Sequence, residues 1–307
     1  MKLRIGTRES PLALRQAEMI RAALMEKYPG TVVDLVPIRT RGDHPWSHPK
    51  LSQFGGKGLF TKEIEEALLA EKVDLAVHSC KDLPSEIPLG LCLAAFPERE
   101  DPRDVFIAGQ PGRFQDLSRG ATVGTGSLRR RVQLLAMRGD IQIRAIRGNV
   151  DTRIAKLQSE KLDGIVLAAA GLKRLGKDLS SVEYFSEDQL IPAVGQGALA
   201  IECRKEDPST REKVLSLNHL PTEIAIRAER AALKKLGGDC NVPMALHAGV
   251  QGGTLRMVGM VGSFNGQRVV RESIEGSIAD PEALGLRLSE QMLEQGAGKI
   301  LKEFQSV

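Results

Sequence analysis

Cys240 has the setting best suited to covalent chemistry. It lies in Leu236-Gly237-Gly238-Asp239-Cys240-Asn241-Val242-Pro243, between two glycines and a proline. A helix-forming run from Glu223 to Leu236 stops at the glycines, which suit a left-handed helix end. Pro243 stiffens the exit, and glycine beside a thiol lets another molecule come close to the sulfur. Such a cysteine is either a small core residue between two elements or a point of attachment. The other cysteines, Cys80, Cys92 and Cys203, are far from it and no Cys-x-x-Cys pair occurs. A zinc site or disulfide framework is therefore not expected. The five histidines are scattered and show no metal-ligand spacing on a helix, so no metal is expected.

A second kind of chemistry is written in the arginines. Arg8 follows the first predicted strand, Lys81 and Asp82 follow the strand ending at Ser79, and Arg129 and Arg130 follow Gly124-Thr125-Gly126-Ser127. Arg147 and Arg153 flank Gly148-Asn149-Val150, and Arg174 follows Ala170-Gly171-Leu172-Lys173. Each stretch reads as a strand-to-helix junction, where open α/β sheets bind ligands. Helix N-termini attract anions, and guanidinium forks grip carboxylate or phosphate. Together the junctions suit a ligand with many negative groups. Taken singly they have plainer readings: Arg129, Arg130 and Arg131 as charges on an exposed helix face, Gly55-Gly56-Lys57-Gly58 as a flexible loop, Asp82 as a turn residue before Pro84. Against the last stands charge: a carboxylate among so many basic groups is placed to balance a cation developing on a ligand, or to move a proton.

The elements that must carry these residues are those of a globular α/β protein. The chain has 307 residues, 42% apolar and 27% charged, which is room for two or three domains. No apolar run approaches the roughly 20 residues of a membrane span, and the N-terminus lacks the plan of a signal peptide, so a cytoplasmic protein is expected. The net charge of +4 raises the question of nucleic acid, but only 4% of residues are aromatic, too few for a stacking platform. Alternating and periodic patterns predict strands at 2–7, 31–40, 74–79 and 91–96, with helices from Pro11 and over 61–72. A second set follows the charged run Glu98–Arg103: strands at 105–108, 121–125, 141–147 and 164–170, with helices over 128–138 and 150–161. After the hinge-like Pro192–Gly197, the apolar strand 198–203 has no partner in its own stretch and is expected to return to the first domain. Helix 223–236, strands 242–250, 254–263 and 267–275, and a helix capped by Asp280-Pro281 predict a small antiparallel domain, with Asn265-Gly266 as a hairpin turn.

In order along the chain, Thr7-Arg8-Glu9-Ser10-Pro11-Leu12-Ala13-Leu14, Gly55-Gly56-Lys57-Gly58-Leu59-Phe60, His78-Ser79-Cys80-Lys81-Asp82-Leu83-Pro84, Gly124–Arg130, Arg147–Val150, Pro192–Gly197 and Gly238–Pro243 resemble the motifs of the porphobilinogen deaminase (hydroxymethylbilane synthase) family. The resemblance covers essentially the whole chain. It implies two periplasmic-binding-protein-like α/β domains with a cleft between them plus a C-terminal α+β domain: residues 1–98 with 197–216, then 103–192, then 220–307. It implies a transferase that joins four porphobilinogen molecules head to tail into hydroxymethylbilane, releasing ammonia at each step of this tetrapyrrole pathway. It implies a dipyrromethane cofactor held by a thioether at Cys240, and a catalytic role for Asp82 in stabilising the cationic azafulvene formed when the substrate loses its amino group. It further implies that Arg8, Ser10, Lys57, Ser79, Lys81, Thr125, Ser127, Arg129, Arg130, Arg147, Arg153 and Arg174 bind the carboxylate-bearing cofactor and substrate. No nucleic acid, membrane or metal is implied, and a monomer is expected.

Two positions depart from the family pattern: Gln53 stands where a basic residue is expected, and Gly126 where a second hydroxyl is common. The competing reading is a non-catalytic bilobal protein that closes on a polycarboxylate. It accounts for lobes and arginines but not for the Gly-Gly-Asp-Cys loop or the lone acid.

Overall fold

The computed structural model describes residues 2–43, 58–237 and 242–305. The chain forms two compact units, Met1–Glu100 with Ala198–Glu223 and Asp101–Gly197 with Ile224–Val307. Elements are numbered along the chain.

In the first unit β1 (Lys2–Arg8) leads into α1 (Pro11–Lys27). The Ser10 side chain accepts from Ala13 N at the start of α1, and Ala13, Ala17, Ile20 and Leu24 form the buried stripe. Then come β2 (Val32–Ile38), α2 (Lys62–Leu69), β3 (Leu75–Ser79) and β4 (Leu91–Ala95). Most of the expected loop over 43–58 lies outside the described residues. The chain returns to this unit with β10 (Leu199–Arg204) and α6 (Pro208–Leu215). The sheet order is β2-β1-β3-β10-β4, with β1 parallel to β2 and β3, and β10 antiparallel to both its neighbours. Leu199–Cys203 is buried throughout, as suits a strand covered on both faces.

The second unit holds two sheets. The first gathers β5 (Asp104–Ala108), β6 (Thr122–Gly124), β7 (Gln142–Arg144), β8 (Gly164–Ala168) and β9 (Glu183–Tyr184) in the order β7-β6-β8-β5-β9. Here β6 runs parallel to β7 and β8, while β5 is antiparallel to β8 and β9. Its helices are α3 (Leu128–Met137), α4 (Val150–Ser159) and α5 (Ala169–Arg174). Phe114 is buried against Phe106 and Phe185, edge to face, at centroid distances of 5.7 and 5.4 Å. The other sheet is the meander β11 (Met244–Gln251), β12 (Thr254–Gly262) and β13 (Val269–Ser277), packed on α7 (Leu220–Lys235), α8 (Pro281–Glu294) and α9 (Ala297–Gln305).

The α/β class and the small C-terminal antiparallel sheet agree with the sequence expectation. Differences are local. The strand expected to run to 170 ends at Ala168 and the chain turns at once into α5. The final helix is two helices, separated at Gly296, which takes a left-handed φ of 96°. Helix α6 was not anticipated, although Asp207-Pro208 starts it with the same cap as Asp280-Pro281 starts α8.

Candidate functional site

In the first unit, functional groups gather where β1 and β3 end. Arg8 is the last residue of β1, Ser10 caps α1, and Ser79 closes β3 ahead of a short 3-10 turn, Cys80–Asp82. A cavity of about 50 Å³ lies among Arg8, Ser10, Gln16, Phe60, Ser79 and Asp82, with Thr61 and His78 also on its wall. Asp82 is the only acid lining it among the described residues. Its carboxylate is half-buried, with Oδ2 3.9 Å from Arg8 Nη1. The Arg8 guanidinium in turn stacks over Phe60 at 4.1 Å from the ring centroid. That stacking fixes a planar cation beside the carboxylate while leaving its edges for hydrogen bonds. Ser79 is positioned from behind: the buried Gln16 amide donates to its Oγ at 2.9 Å. Lys81 is half-buried within the same turn.

Deeper in this unit sits a buried acid-base group. His78 Nε2 is 3.0 Å from Glu202 Oε2, and both side chains are almost wholly buried. Glu65 on α2 is buried nearby, and burial pushes its carboxyl up, with the charge of Glu202 adding to the effect and Thr61 and His78 opposing it.

In the second unit the glycine–hydroxyl junction starts α3. Ser127 is its N-cap, accepting from Arg130 N, and Thr125 Oγ1 accepts from Ser127 N at 3.3 Å. Arg129 and Arg130 do not decorate an exposed face: each is about 95% buried against Asp104, itself inaccessible. Arg129 Nη1 is 2.7 Å from Asp104 Oδ2 and also donates to Ile191 O at 2.7 Å. Arg130 grips Oδ1 with Nε at 3.1 Å and Nη2 at 2.7 Å, and its Nη1 donates to Val166 O. Burial alone would raise the Asp104 carboxyl, yet the two guanidiniums hold it far below the usual carboxylate range. Gln196 Nε2 adds a 2.9 Å bond to Asp104 Oδ1. Arg129 Nε is a buried donor with no acceptor among the described residues.

The remaining cations are placed differently. Arg147 is exposed just before α4, whose N-cap Asn149 accepts from Thr152 N at 2.8 Å. Arg153 Nε donates to Gly148 O at 2.8 Å. Arg174 was expected at the start of a helix but lies in the last turn of α5, with Nη2 donating to Gly197 O at 2.6 Å. Gly126 is fixed by packing: a Cβ there would stand 2.6 Å from Ile146 O. Cys240, Lys57 and Gln53 lie outside the described residues.

Asp104, Gln196, Gln16, Phe60 and the His78–Glu202 pair escaped the sequence reading. Asp104 left one trace, an acid opening the apolar strand Val105-Phe106-Ile107. Among the described residues no group of three or more His, Cys, Asp or Glu could hold a metal ion, and no helix is long and apolar enough to cross a membrane.

Mixed α/β sheets and a small polar cavity at the ends of β1 and β3, with a single acid among its described lining residues, define the class of protein as α/β with a site at the strand ends of its first unit. The comparisons give the family. Residues 3–212 match the porphobilinogen deaminase, dipyromethane cofactor binding domain, and residues 224–294 match the porphobilinogen deaminase, C-terminal domain. The porphobilinogen deaminase of Geobacter sulfurreducens is 51% identical over 302 residues, 98% of this chain and 94% of that protein. That of Pelobacter propionicus is 49% identical over 302 residues, covering 98% and 97%. The chain belongs to the porphobilinogen deaminase family.

Proposed function

We propose that this chain joins four porphobilinogen molecules head to tail into hydroxymethylbilane, releasing ammonia at each addition, and that Asp82 is its catalytic carboxylate. The observation that carries the role of Asp82 is the first-unit cavity, where one carboxylate faces Arg8, Ser10 and Ser79. Each pyrrole brings an acetate and a propionate, so cations must outnumber acids wherever it is held. The lone Asp82 carboxylate is then free for the pyrrole nitrogen: its Oδ atoms accept the N–H and offset the positive charge that develops there as the amino group leaves. In the first unit Arg8, Ser10, Ser79, Lys57 and Lys81 are proposed to bind carboxylates of cofactor or substrate, and in the second unit Thr125, Ser127, Arg129, Arg130, Arg147, Arg153 and Arg174 are proposed to do the same.

The cofactor of this family is dipyrromethane, and the residues present fit it. A two-pyrrole group carries four carboxylates, and Arg129 Nε, in the first turn of α3, is a buried donor with no acceptor among the described residues. Cys240 is the proposed point of attachment, through a thioether. When bound, the cofactor supplies the pyrrole carbon to which substrate is joined. The three domains proposed, 1–98 with 197–216, 103–192 and 220–307, are supported by the three separate sheets. We further propose a cytoplasmic monomer acting without nucleic acid or membrane.

Intact-protein mass spectrometry of the purified chain, repeated on Cys240→Ser, tests the attachment. An added mass of two linked pyrroles, absent from the variant, is expected; an unmodified wild-type chain from a porphobilinogen-competent host would overturn it. Asp82→Asn should keep the cofactor mass and the fold while losing at least about 100-fold in turnover. Product formation at the wild-type rate would refute the role of Asp82.

A further inference from the structure

The first unit carries a second pair of reactive side chains that the proposed reaction does not use. Cys92 on β4 and Cys203 on β10 are register partners in an antiparallel pair, and both are free thiols. Lys205 N donates to Gly90 O at 2.9 Å across the same two strands. Hydrogen-bonded pairs alternate along such a ladder, so Cys92 opposite Cys203, two residues on, is also of this type. Such a pair keeps both side chains on one face with Cα atoms about 5.5 Å apart, within the Cα window of a disulfide, and the Cys92 side chain is near enough to hydrogen-bond that of Cys203. Cys203 is buried in the core with Leu3, Leu75 and Val77, whereas Cys92 packs on that core and keeps part of its surface in solvent. Burial pushes the Cys203 thiol up to about 12, and the neighbouring Cys92 adds to this. The deeper thiol therefore stays protonated, and the shallower one meets any reagent first.

We propose that Cys92 and Cys203 form a redox-modification site that takes low-molecular-weight disulfides and closes into a cross-strand disulfide. The Cys92 thiolate attacks one sulfur of a disulfide RSSR. A Cys92–SR bond forms, the S–S bond of the reagent breaks, and RS⁻ leaves to be protonated. Cys203 then attacks Cys92 Sγ, its proton passing to the departing sulfur, so that the Cys92–SR bond breaks and a second RSH leaves. The two protein sulfurs lose two electrons and the reagent gains them, ending as two thiols. The link would tie the strand from which the chain departs for the second unit to the strand on which it comes back.

The test incubates the cofactor-loaded protein with oxidised glutathione near pH 8, then alkylates and digests it for mass spectrometry. The expected result is a Cys92–Cys203 linked peptide pair with no glutathione retained there. The thermal midpoint should rise by about 5 °C or more, because the closed loop is long, and dithiothreitol should reverse it. Cys203→Ala should stop at a glutathione adduct on Cys92, and Cys92→Ala, active like wild type when reduced, should form neither species. Wild-type protein that keeps glutathione on Cys92 without joining Cys203, or in which neither thiol reacts, would overturn the proposal.

Discussion

Asp104 shows how one buried acid can fix the place of two arginines. It lies inaccessible between Arg129 and Arg130 and takes a third bond from Gln196. Asp104→Asn leaves two buried guanidiniums short of a counter-charge, which should cost about 3–5 kcal/mol, read as a fall in the urea midpoint. The pH dependence has a definite sign. The folded carboxyl ionises far below its unfolded value near 3.8, so its stabilisation is complete above that value and fades as pH falls beneath it. Wild-type stability should therefore drop steeply below about pH 4, and Asp104→Asn should show a shallower drop. Arg147 gives the opposite case, since it is exposed. Arg147→Leu should shift stability by no more than about 0.5 kcal/mol while slowing turnover or stalling elongation; unchanged turnover would make it a plain surface charge. The arginines were legible in the sequence because their type and junction spacing announce anion chemistry. Their division into buried and exposed was not, because the acid that buries two of them lies on β5, 26 positions from Arg130.

At the scale of elements, caps and turns carried most of the readable information. Ser10-Pro11, Ser127 and Asp280-Pro281 start helices as their chemistry dictates, with side-chain bonds to the first turn. Short elements were harder to read. α5 is six residues long and continues an apolar run without a break, so periodicity cannot separate it from β8. The departure at Gly126 also belongs to this scale. The sequence shows a missing hydroxyl, whereas the structure shows a carbonyl, Ile146 O, where a Cβ would go. Gly126→Ser should thus destabilise the β6–α3 junction by about 1–3 kcal/mol in urea unfolding. An unchanged midpoint would mean that the backbone there gives way freely.

At the scale of the whole molecule, the chain passes between its two units three times, the last time within the single helix α7. The return of the 199–204 strand could be read from its lack of local partners; its exact seat could not, because pairing order is set by contacts across the sheet. That seat is between β3 and β4. The seating has a consequence for how the protein is born. On a ribosome, β4 emerges while the strand that must sit beside it is still roughly 100 residues from being made, about 5–20 s at ordinary elongation rates. Throughout that interval β3 offers an unpaired edge to any neighbouring nascent chain. A fragment ending at Glu100 should accordingly associate or precipitate on release, as light scattering would show. Slowing translation after Glu100 should lower the yield of active protein more than slowing it after Arg204.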